Sequence, residues 1–377
     1  MTSRPHLLHV FSTFNLGGPQ MRAVQLLNAW GGAFKHSIVS VGHGELSARD
    51  GLSRNVETDF PDFPDLKQGS LPARLLAIRK RLKSLKPGLI LTYNWGAVEV
   101  VASVRLFGGA PLVHHEDGFG PDEIGGQLKR RVWLRRLALP GAKHLIVPSK
   151  TLERTARGVW RRPPATTTYI PNGIDVAAFD RQPISNAIPG LDRTDGVLQV
   201  GTVAGLRREK NLTRLVRVFA SASKDIDARL VIVGTGPERE LILAEARAQG
   251  VEHRVHLPGF LADPHRYVGL FDVFALSSDT EQFPISLVEA MAAQLPTVCT
   301  AVGDIADIVS RDNAPFVAPA GDEVTLASHI RKLLLDESLR RAIGAANRAR
   351  VEQEFSKQRM VEAYDRIYRS AIQSGMR

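Results

Sequence analysis

The feature that most constrains the fold of this chain is a regular alternation of short apolar runs with stretches of helical periodicity. The runs are rich in Val, Ile and Leu and too short for helices, as is typical of strands buried on both faces of a sheet. They lie at 6–12, 36–41, 88–93, 111–114, 144–147 and 167–170, and again at 197–203, 229–233, 254–257, 273–276, 297–300 and 315–317. Between them, apolar residues recur at helical spacing, as at Leu71, Leu75 and Ile78. Alternating strands and helices predict an α/β fold with parallel sheets.

The alternation comes in two series of about six strands, and 377 residues suit two domains of ordinary size. We expect two Rossmann-like, doubly wound parallel-sheet domains that face each other across a cleft, over 1–178 and 190–355. The join falls within 176–197, which is rich in Pro, Gly, Asn and Asp and lacks periodicity. A C-terminal helix over 356–377 is too long for a tail and should dock on another element.

The net charge of +10 is unevenly distributed along the chain. Residues 1–180 contain 24 Lys and Arg against 14 Asp and Glu, whereas 181–377 contain 25 of each. This asymmetry indicates an anionic partner for the first half: nucleic acid, a phosphate-rich substrate or an acidic membrane surface. A solvated basic surface is the alternative. An aromatic content of 6% and the lack of a recognisable binding module argue against nucleic acid.

Cysteine content and hydropathy exclude several classes of protein. A single cysteine, Cys299, excludes a disulfide framework and a multi-cysteine zinc or iron–sulfur site. No apolar run approaches the roughly 18 residues of a membrane span, and the N-terminal apolar stretch is too short for a signal peptide. We therefore expect a cytoplasmic protein.

Ligands of open α/β sheets bind beyond the carboxyl ends of the strands, and the first apolar run is followed there by a glycine pair. Asn15 and Leu16 precede Gly17 and Gly18, and a helix follows. Adjacent glycines let the backbone approach a ligand closely, and a helix N-terminus attracts anions. The pattern is not the G-x-G-x-x-G dinucleotide fingerprint, and an ordinary strand–helix turn is the alternative.

Two cations follow the first run of the second series. Arg207 and Lys210 stand where a strand ends and a helix begins, which suits a diphosphate, although solvent-facing charge is the alternative. Gly234 and Gly236 follow the next run and again offer close backbone approach.

The most specific motif contains two glutamates, Glu281 and Glu289, separated by seven residues. Phe283 and Pro284 mark the start of a helix, so Glu281 precedes the helix and Glu289 lies about one turn inside it. A partly buried Glu289 needs a polar partner, and a ribose diol would be one. The first amides of the helix can hold phosphates. They belong to Ile285, Ser286 and Leu287.

Another polar cluster ends a run of the first series, with His114, His115, Glu116 and Asp117 in succession. Adjacent strand residues point to opposite faces, so the four side chains cannot bind one metal ion, and we expect no metal site. General acid–base chemistry or hydroxyl binding is favoured, and a structural role is the alternative.

The basic excess is concentrated in two segments, 71–86 and 127–139, where Lys and Arg alternate with Leu, Ile, Val and Trp. Basic amphipathic helices are typical of membrane-surface elements, whereas a packed helix with a charged outer face is the alternative.

Together these motifs resemble those of family-4 retaining glycosyltransferases with the GT-B fold, over essentially the whole chain. The resemblance rests on Gly17 and Gly18 and on the segments 114–118, 170–175, 207–211 and 281–289. The paired glutamates with Phe-Pro between them are the most specific of these, followed by the Pro-Asn-Gly-Ile-Asp run. Within the family the chain is most similar to bacterial enzymes of exopolysaccharide and cell-surface glycan assembly.

The resemblance implies a UDP- or GDP-linked sugar donor in the C-terminal domain and no cofactor besides it. Arg207 and Lys210 would neutralise the diphosphate and Glu289 would hold the ribose. Gly17 and Gly18 would approach the donor phosphates from the other domain. The family reaction retains the anomeric configuration without an essential metal, because cations and a helix N-terminus stabilise the leaving diphosphate.

The resemblance also implies catalytic and acceptor-binding residues. Glu281 would face the hydroxyls of the sugar, and His114, His115 or Asp117 would occupy the position of the family histidine. The N-terminal domain would bind the acceptor, with Asn15 and Glu116 as candidates, and the last helix would cross back to that domain.

Two residues depart from the pattern of many relatives. Gly205 stands where they have Arg, so Arg207 would have to do that work. Gln282 replaces the Gly of a Glu-Gly-Phe run and would alter the contact with the sugar.

We therefore expect a transferase that moves a sugar from a nucleotide-sugar to a growing glycan or a polyprenyl-diphosphate-linked acceptor. Its basic half would rest on the anionic inner face of the plasma membrane. The alternatives are a two-domain nucleotide-sugar epimerase, a phosphorylase-like enzyme, and a non-catalytic nucleotide-sugar-binding or membrane-scaffold protein.

Overall fold

A computed structural model describes residues 4–42, 46–119, 123, 126–191 and 196–375. The chain divides into two compact units. Unit 1 consists of Met1–Pro171 and Met360–Arg377, and unit 2 of Asn172–Arg359. Each unit contains one parallel sheet with helices on both faces, which confirms the predicted α/β architecture of two Rossmann-like domains.

The sheet of unit 1 is parallel throughout the described residues. Its strands are β1 (His6–Phe11), β2 (Lys35–Ser40), β3 (Thr58–Asp59), β4 (Leu89–Tyr93), β5 (Leu112–His115), β6 (His144–Val147) and β7 (Thr167–Tyr169). The strand order is β3-β2-β1-β4-β5-β6-β7. The order reverses between β1 and β4, and such a switch point creates a crevice at the carboxyl ends of the two strands.

The first helices of the chain alternate with these strands. They are α1 (Gly18–Trp30), α2 (Leu71–Leu85), α3 (Val98–Phe107), α4 (Lys129–Ala138) and α5 (Lys150–Gly158). The start of α5 is capped by Ser149, whose hydroxyl accepts a 3.0 Å hydrogen bond from the amide of Leu152. The basic segments of the sequence thus form α2 and α4, as predicted.

The sheet of unit 2 is also parallel in its described residues. Its strands are β8 (Leu198–Val203), β9 (Ala228–Val233), β10 (Val255–Gly259), β11 (Val273–Leu276), β12 (Thr297–Thr300) and β13 (Val317–Ala318). They are ordered β10-β9-β8-β11-β12-β13, so the switch point lies between β8 and β11.

Helices of unit 2 flank this sheet. They are α6 (Leu212–Ala222), α7 (Arg239–Ala248), α8 (Ile285–Ala292), α9 (Ile305–Ile308), α10 (Glu323–Leu335) and α11 (Glu337–Glu354). The side chains of Asn211, Asp322 and Asp336 cap α6, α10 and α11. The chain ends in α12 (Lys357–Gly375), whose residues from Met360 onward belong to unit 1.

The core of unit 1 has two layers because consecutive strand residues point to opposite faces. Leu7 and Phe11 of β1 lie in the layer that α1 and α12 cover. Leu8 and Val10 lie in the other layer, against α2 and α3. The sheet is therefore buried on both faces, which explains the continuous apolar runs in the sequence.

Unit 2 is built in the same way. Val200 and Leu230 lie in the layer with α6, α7 and α10. Val231 and Phe274 lie in the layer with α8 and α9.

None of the helices within the described residues is long and apolar enough to span the hydrocarbon core of a bilayer.

The Pro-Asn-Gly-Ile-Asp run is fixed to the start of α12 inside unit 2. The amide of Ile174 donates to the carbonyl of Phe355 (2.9 Å), and the amide of Lys357 donates to the carbonyl of Ile174 (2.8 Å). A Cβ atom on Gly173 would lie 2.6 Å from the carbonyl oxygen of Ser356, so only glycine fits there.

The division between the units falls at 171, whereas the sequence placed the join within 176–197. The described residues of that segment belong to unit 2, because Ile188 and Leu191 are buried in its core. Eleven of the twelve predicted apolar runs form strands, whereas the last, 315–317, lies mostly in a 3₁₀ turn and only Val317 of it belongs to β13. β3 was not predicted, because its two residues, Thr58 and Asp59, form no apolar run.

Candidate active site residues in the two units

The carboxyl ends of β8 and β9 meet through two glycine-dependent loops. A Cβ atom on Gly234 would lie 1.9 Å from the carbonyl oxygen of Ala204, and one on Gly236 would lie 2.4 Å from that of Leu206. Both glycines also have positive φ, at 148° and 158°. Their predicted role was to let a ligand approach. The structure shows that they let the β8 loop pack against the β9 loop, and their predicted approach to a ligand stays a prediction.

Lys210 and Glu281 lie side by side at this edge. The Lys210 ammonium donates to Oε1 of Glu281 at 2.6 Å, and the Ser278 hydroxyl donates to the same oxygen at 2.7 Å. Both charged side chains are largely buried. The pairing holds the cation at the strand edge and leaves its other two N–H groups for an anion. The sequence predicted both charged residues but not Ser278.

Arg207 differs from Lys210 in its surroundings. Its side chain is 61% exposed, and Nε lies 3.1 Å from Oε1 of Glu209. The segment Arg208–Lys210 forms a short 3₁₀ turn, and α6 starts two residues after it. The start of α6 is occupied by the Asn211 side chain, which accepts from the amide of Arg214 at 3.3 Å. Arg207 is therefore an exposed cation, whereas Lys210 is largely buried and paired with Glu281.

Helix α8 begins one residue after Pro284, which is its N-cap rather than its first residue. Phe283 is buried, and its ring packs edge-on against Phe355 at 5.6 Å between centroids. The Leu287 amide donates to the carbonyl of Pro284 at 3.2 Å. It is therefore already paired within the helix, whereas we predicted that it would bind a phosphate. The amides of Ile285 and Ser286 stand in the first turn, where an α-helix supplies no acceptor.

Glu289 lies one turn inside α8, as predicted, and is mostly buried among apolar residues. Burial raises the pKa of its carboxyl to about 7. In the part of the chain that the structure describes, its carboxylate has no hydrogen bond or ion pair. A buried carboxyl without a donor is destabilising, so a pair of ligand hydroxyls would satisfy it. Perturbed groups of this kind are concentrated at functional sites.

The two histidines that end β5 are fully buried in unit 1. Nδ1 of His114 lies 2.8 Å from the Thr92 hydroxyl. His115 donates from Nδ1 to the Thr92 carbonyl (3.0 Å) and accepts at Nε2 from the Tyr368 hydroxyl (2.8 Å). Burial holds the pKa of His115 well below its usual value, so the ring is neutral. The predicted catalytic role of these two residues is therefore not supported, because neither ring reaches the surface.

Glu116 is also buried, and it pairs with the guanidinium of Arg135 at 3.2 Å. Arg135 contacts Glu123 as well, at 3.4 Å, and lies over the rings of Trp95 and Trp160. This buried network contradicts the prediction that Glu116 binds the acceptor, since its oxygens are occupied within the fold.

Asp117 is the member of the cluster that reaches the end of the strand. Its carboxylate forms a bidentate ion pair with Arg22 of α1, with Nη2 to Oδ2 at 2.9 Å. Its amide donates to the Asn94 side chain at 2.7 Å. The Arg22 guanidinium lies 5.7 Å from the ring centre of Tyr364 in α12. Sequence reasoning missed Arg22, although it is a lone cation among the apolar residues of α1.

Asn15, Gly17 and Gly18 lie between β1 and the start of α1. Gly17 is the N-cap residue and has extended backbone, and Pro19 follows in the first turn. A Cβ atom on Gly18 would meet no atom within 4 Å. Packing within unit 1 therefore does not require glycine at 18, and the space beside it is open to a ligand.

Comparisons with known proteins identify the protein family of this chain. A model of the glycosyl transferases group 1 matches residues 187–350, and a model of the glycosyl transferase 4-like domain matches residues 17–173. Together they cover most of both units. The chain belongs to this family of glycosyltransferases, as its motifs indicated.

Two curated relatives are similar over parts of their length. N-acetyl-alpha-D-glucosaminyl L-malate synthase of Bacillus anthracis is 31% identical over 166 residues, which are 44% of each chain. The capsular polysaccharide biosynthesis glycosyltransferase CapM of Staphylococcus aureus is 28% identical over 175 residues, 46% of each chain. The alignments thus span less than half the length of these relatives.

Two solved structures are similar over nearly the whole chain. Sucrose-phosphate synthase of Thermosynechococcus elongatus gives a TM-score of 0.80 at 21% identity, covering 98% of this chain and 100% of that one. HepE of Anabaena in complex with UDP gives 0.79 at 19% identity, covering 97% and 100%. At such identities the likeness establishes the GT-B fold.

Proposed function

We propose that this protein is a retaining glycosyltransferase that moves a sugar from a UDP- or GDP-linked donor to a lipid-linked or growing glycan acceptor. The observation that carries the proposal is the set of groups on one edge of unit 2: the Lys210–Glu281 pair, the first turn of α8, and the unpaired carboxyl of Glu289. A cation, free amides and a carboxyl in need of hydroxyl donors match a diphosphate attached to a ribose.

In this proposal the residues of unit 2 act mainly on the leaving group. Lys210 and the amides of Ile285 and Ser286 neutralise the charge that develops on the diphosphate as the bond to the sugar breaks. Glu281 holds Lys210 in place and accepts from a sugar hydroxyl. We propose that these groups do the work without a metal ion, so that transfer is unchanged by EDTA.

The donor site is tested by thermal unfolding with UDP, GDP, ADP, dTDP and NAD. A ligand at about 100 times its dissociation constant adds roughly 2.7 kcal/mol, which raises the melting temperature by several degrees. We expect a shift with one nucleoside diphosphate, reduced in Glu289→Gln and Lys210→Gln. Glu240→Gln on the exposed face of α7 is the matched control. No shift with any nucleoside diphosphate would contradict the donor proposal.

Retention of the anomeric configuration is tested with the unsubstituted protein. Slow hydrolysis of the donor releases a free sugar, and proton NMR identifies the anomer that forms first. We expect the anomer that the donor carries. Release of the opposite anomer would show an inverting reaction.

We further propose that unit 1 contacts an anionic membrane through α4. Trp133 and Leu137, one turn apart on this helix, are 62% and 65% exposed, and Arg130 and Arg136 flank them. The segment Lys129–Ala138 contains five Lys and Arg and no acidic residue. Exposed aromatic and apolar side chains within a basic helix are typical of membrane-surface elements.

Flotation with vesicles tests this contact. Vesicles of phosphatidylglycerol and phosphatidylcholine should retain the protein at low salt, and vesicles of phosphatidylcholine alone should not. The double variant Trp133→Ser, Leu137→Ser should lose most of the retention. Val324→Ser is the control, because Val324 is 82% exposed and lies in the half of the chain that has no net charge. Retention that is equal in all variants would contradict the proposal.

A further inference from the structure

Unit 1 contains a cavity of about 340 Å³ that the proposed reaction does not use. It lies at the amino ends of β4 and β5, where Pro87, Ile90 and Ala110 line it. Ligands of the transfer reaction are expected at the opposite, carboxyl edge of this sheet. The cavity is therefore a separate feature of the surface.

Three cations of α2 and its C-terminus line this cavity: Arg79, Lys83 and Lys86. None of them forms an ion pair with a carboxylate in the described part of the chain. Lys83 and Lys86 stand where α2 ends at Leu85, and the helix dipole accounts for cations there. Arg79 lies more than a turn earlier, so the dipole does not account for it.

The surroundings of Arg79 favour an anionic ligand. Its Nε atom is buried and has no acceptor among the described residues. Its guanidinium carbon lies 4.9 Å from the ring centre of Phe107, which holds the group at the cavity. A buried, unpaired N–H of a charged group is costly, and an anionic oxygen would remove that cost.

The rest of the cavity is apolar. Leu82, Ile90 and Phe107 contribute to its lining. Two exposed leucines extend the apolar surface, Leu76 one turn before Arg79 on α2 and Leu106 next to Phe107. A free phosphate would gain nothing from these groups, whereas the glycerol and acyl portion of a lipid would be removed from water by them.

The rim of the cavity is open beside two glycines. Gly108 and Gly109 have φ of 67° and 142°, and Cβ atoms on them would meet nothing within 4 Å. The chain therefore turns there without a covering side chain, which leaves a path into the cavity from solvent.

We propose that this cavity binds the phosphate of an anionic phospholipid, with Arg79 and Lys83 on the phosphate oxygens and Phe107 and Leu82 along the apolar stem. The planar guanidinium of an arginine binds phosphate oxygens in a fixed geometry, whereas the ammonium group of a lysine neutralises the phosphate as a point charge. In addition to the proposed contact of α4 with the membrane surface, this site would bind a single lipid molecule. It does not depend on sugar transfer.

The test measures binding of soluble lipids to the full chain by calorimetry. The probes are dihexanoyl-phosphatidylglycerol below its micelle concentration, dihexanoyl-phosphatidylcholine and glycerol 3-phosphate. We expect phosphatidylglycerol to bind at least about tenfold more tightly than the other two, and Arg79→Gln to remove at least about tenfold of that affinity. Lys80→Gln is the control, because Lys80 is exposed on the same helix and does not line the cavity.

Each outcome of this test decides the proposal. Equal binding of glycerol 3-phosphate and phosphatidylglycerol would overturn it in favour of a free-phosphate site. Equal losses in Arg79→Gln and Lys80→Gln, or no binding, would overturn it altogether. Lipid binding without vesicle flotation would support the lipid site and contradict the membrane contact of α4. Flotation without lipid binding would support the membrane contact of α4 and contradict the lipid site.

Discussion

Glu289 is the residue whose substitution separates binding from stability. A carboxyl whose pKa rises on folding, here from 4.5 to about 7, destabilises the folded state once it ionises, and its contribution to the free energy of unfolding falls between those pH values. We expect Glu289→Gln to raise the free energy of unfolding at pH 8 by up to about 3 kcal/mol, and to change it little at pH 4.

Urea unfolding of both proteins at pH 4 and pH 8 measures this effect. The same variant is expected to lose donor binding, as is common where a site keeps a destabilising group for its function. A variant that is less stable than the parent at pH 8 would show that Glu289 has a stabilising partner and would contradict the proposed site.

The sequence predicted the relative positions of candidate site residues well where these residues are close in the chain. Helix α8 begins between Glu281 and Glu289, so the geometry of one helix start determines where the two residues lie relative to each other. Asp117 and Arg22 are 95 residues apart, and no local pattern could pair them. His114 and His115 were correctly expected to point to opposite faces of β5. Both faces of this sheet are covered by helices, however, so both rings are buried.

For helices and strands, the sequence predicted an element where its apolar pattern is long and missed it where the pattern is short. α2 and α4 were expected from their periodicity and have nearly the expected bounds. β3 has two residues at the edge of a sheet and carries no apolar run to reveal it. The membership of the last helix in unit 1 depends on contacts with distant residues, which periodicity does not report.

Helix α12 joins the core of unit 1 through two tyrosines whose hydroxyls differ. The Tyr368 hydroxyl donates to His115, whereas the buried Tyr364 hydroxyl has no partner in the described residues. We expect Tyr368→Phe to lower the free energy of unfolding by about 1–2 kcal/mol, because it leaves Nε2 of a buried histidine unpaired. Tyr364→Phe should be neutral or stabilising, since it removes an unsatisfied group.

Thermal unfolding of the two variants checks this contrast, and each serves as the control for the other. Both lose one hydroxyl from the same helix face in the same core. Equal destabilisation would show that the hydroxyls act through packing and would contradict the role of the hydrogen bond to β5.

At the scale of the molecule, the two units differ in how they should respond to acid. His9, His36 and His115 are buried in unit 1, where His9 lies 3.1 Å from Nδ1 of His36 and 3.1 Å from the Tyr93 hydroxyl. Burial lowers the pKa of all three, that of His36 to about 4. The unfolded chain therefore binds more protons than unit 1 between pH 6.5 and 4, and stability is lost as the pH falls through that range.

Tryptophan fluorescence reports this loss for one unit alone, because Trp30, Trp95, Trp133 and Trp160 all belong to unit 1. We expect the urea midpoint of the fluorescence signal to fall steadily from pH 7 to pH 4.5, with His36 alone contributing on the order of 3 kcal/mol over the full range to pH 4. His36→Leu should flatten this dependence, whereas His253→Leu, at an exposed position of unit 2, should not. A midpoint that is constant with pH, or that falls as steeply in His36→Leu, would mean that the buried histidines are protonated without cost. Acid sensitivity of unit 1 would then have another cause, such as the repulsion that grows as its carboxylates are protonated and its net positive charge rises.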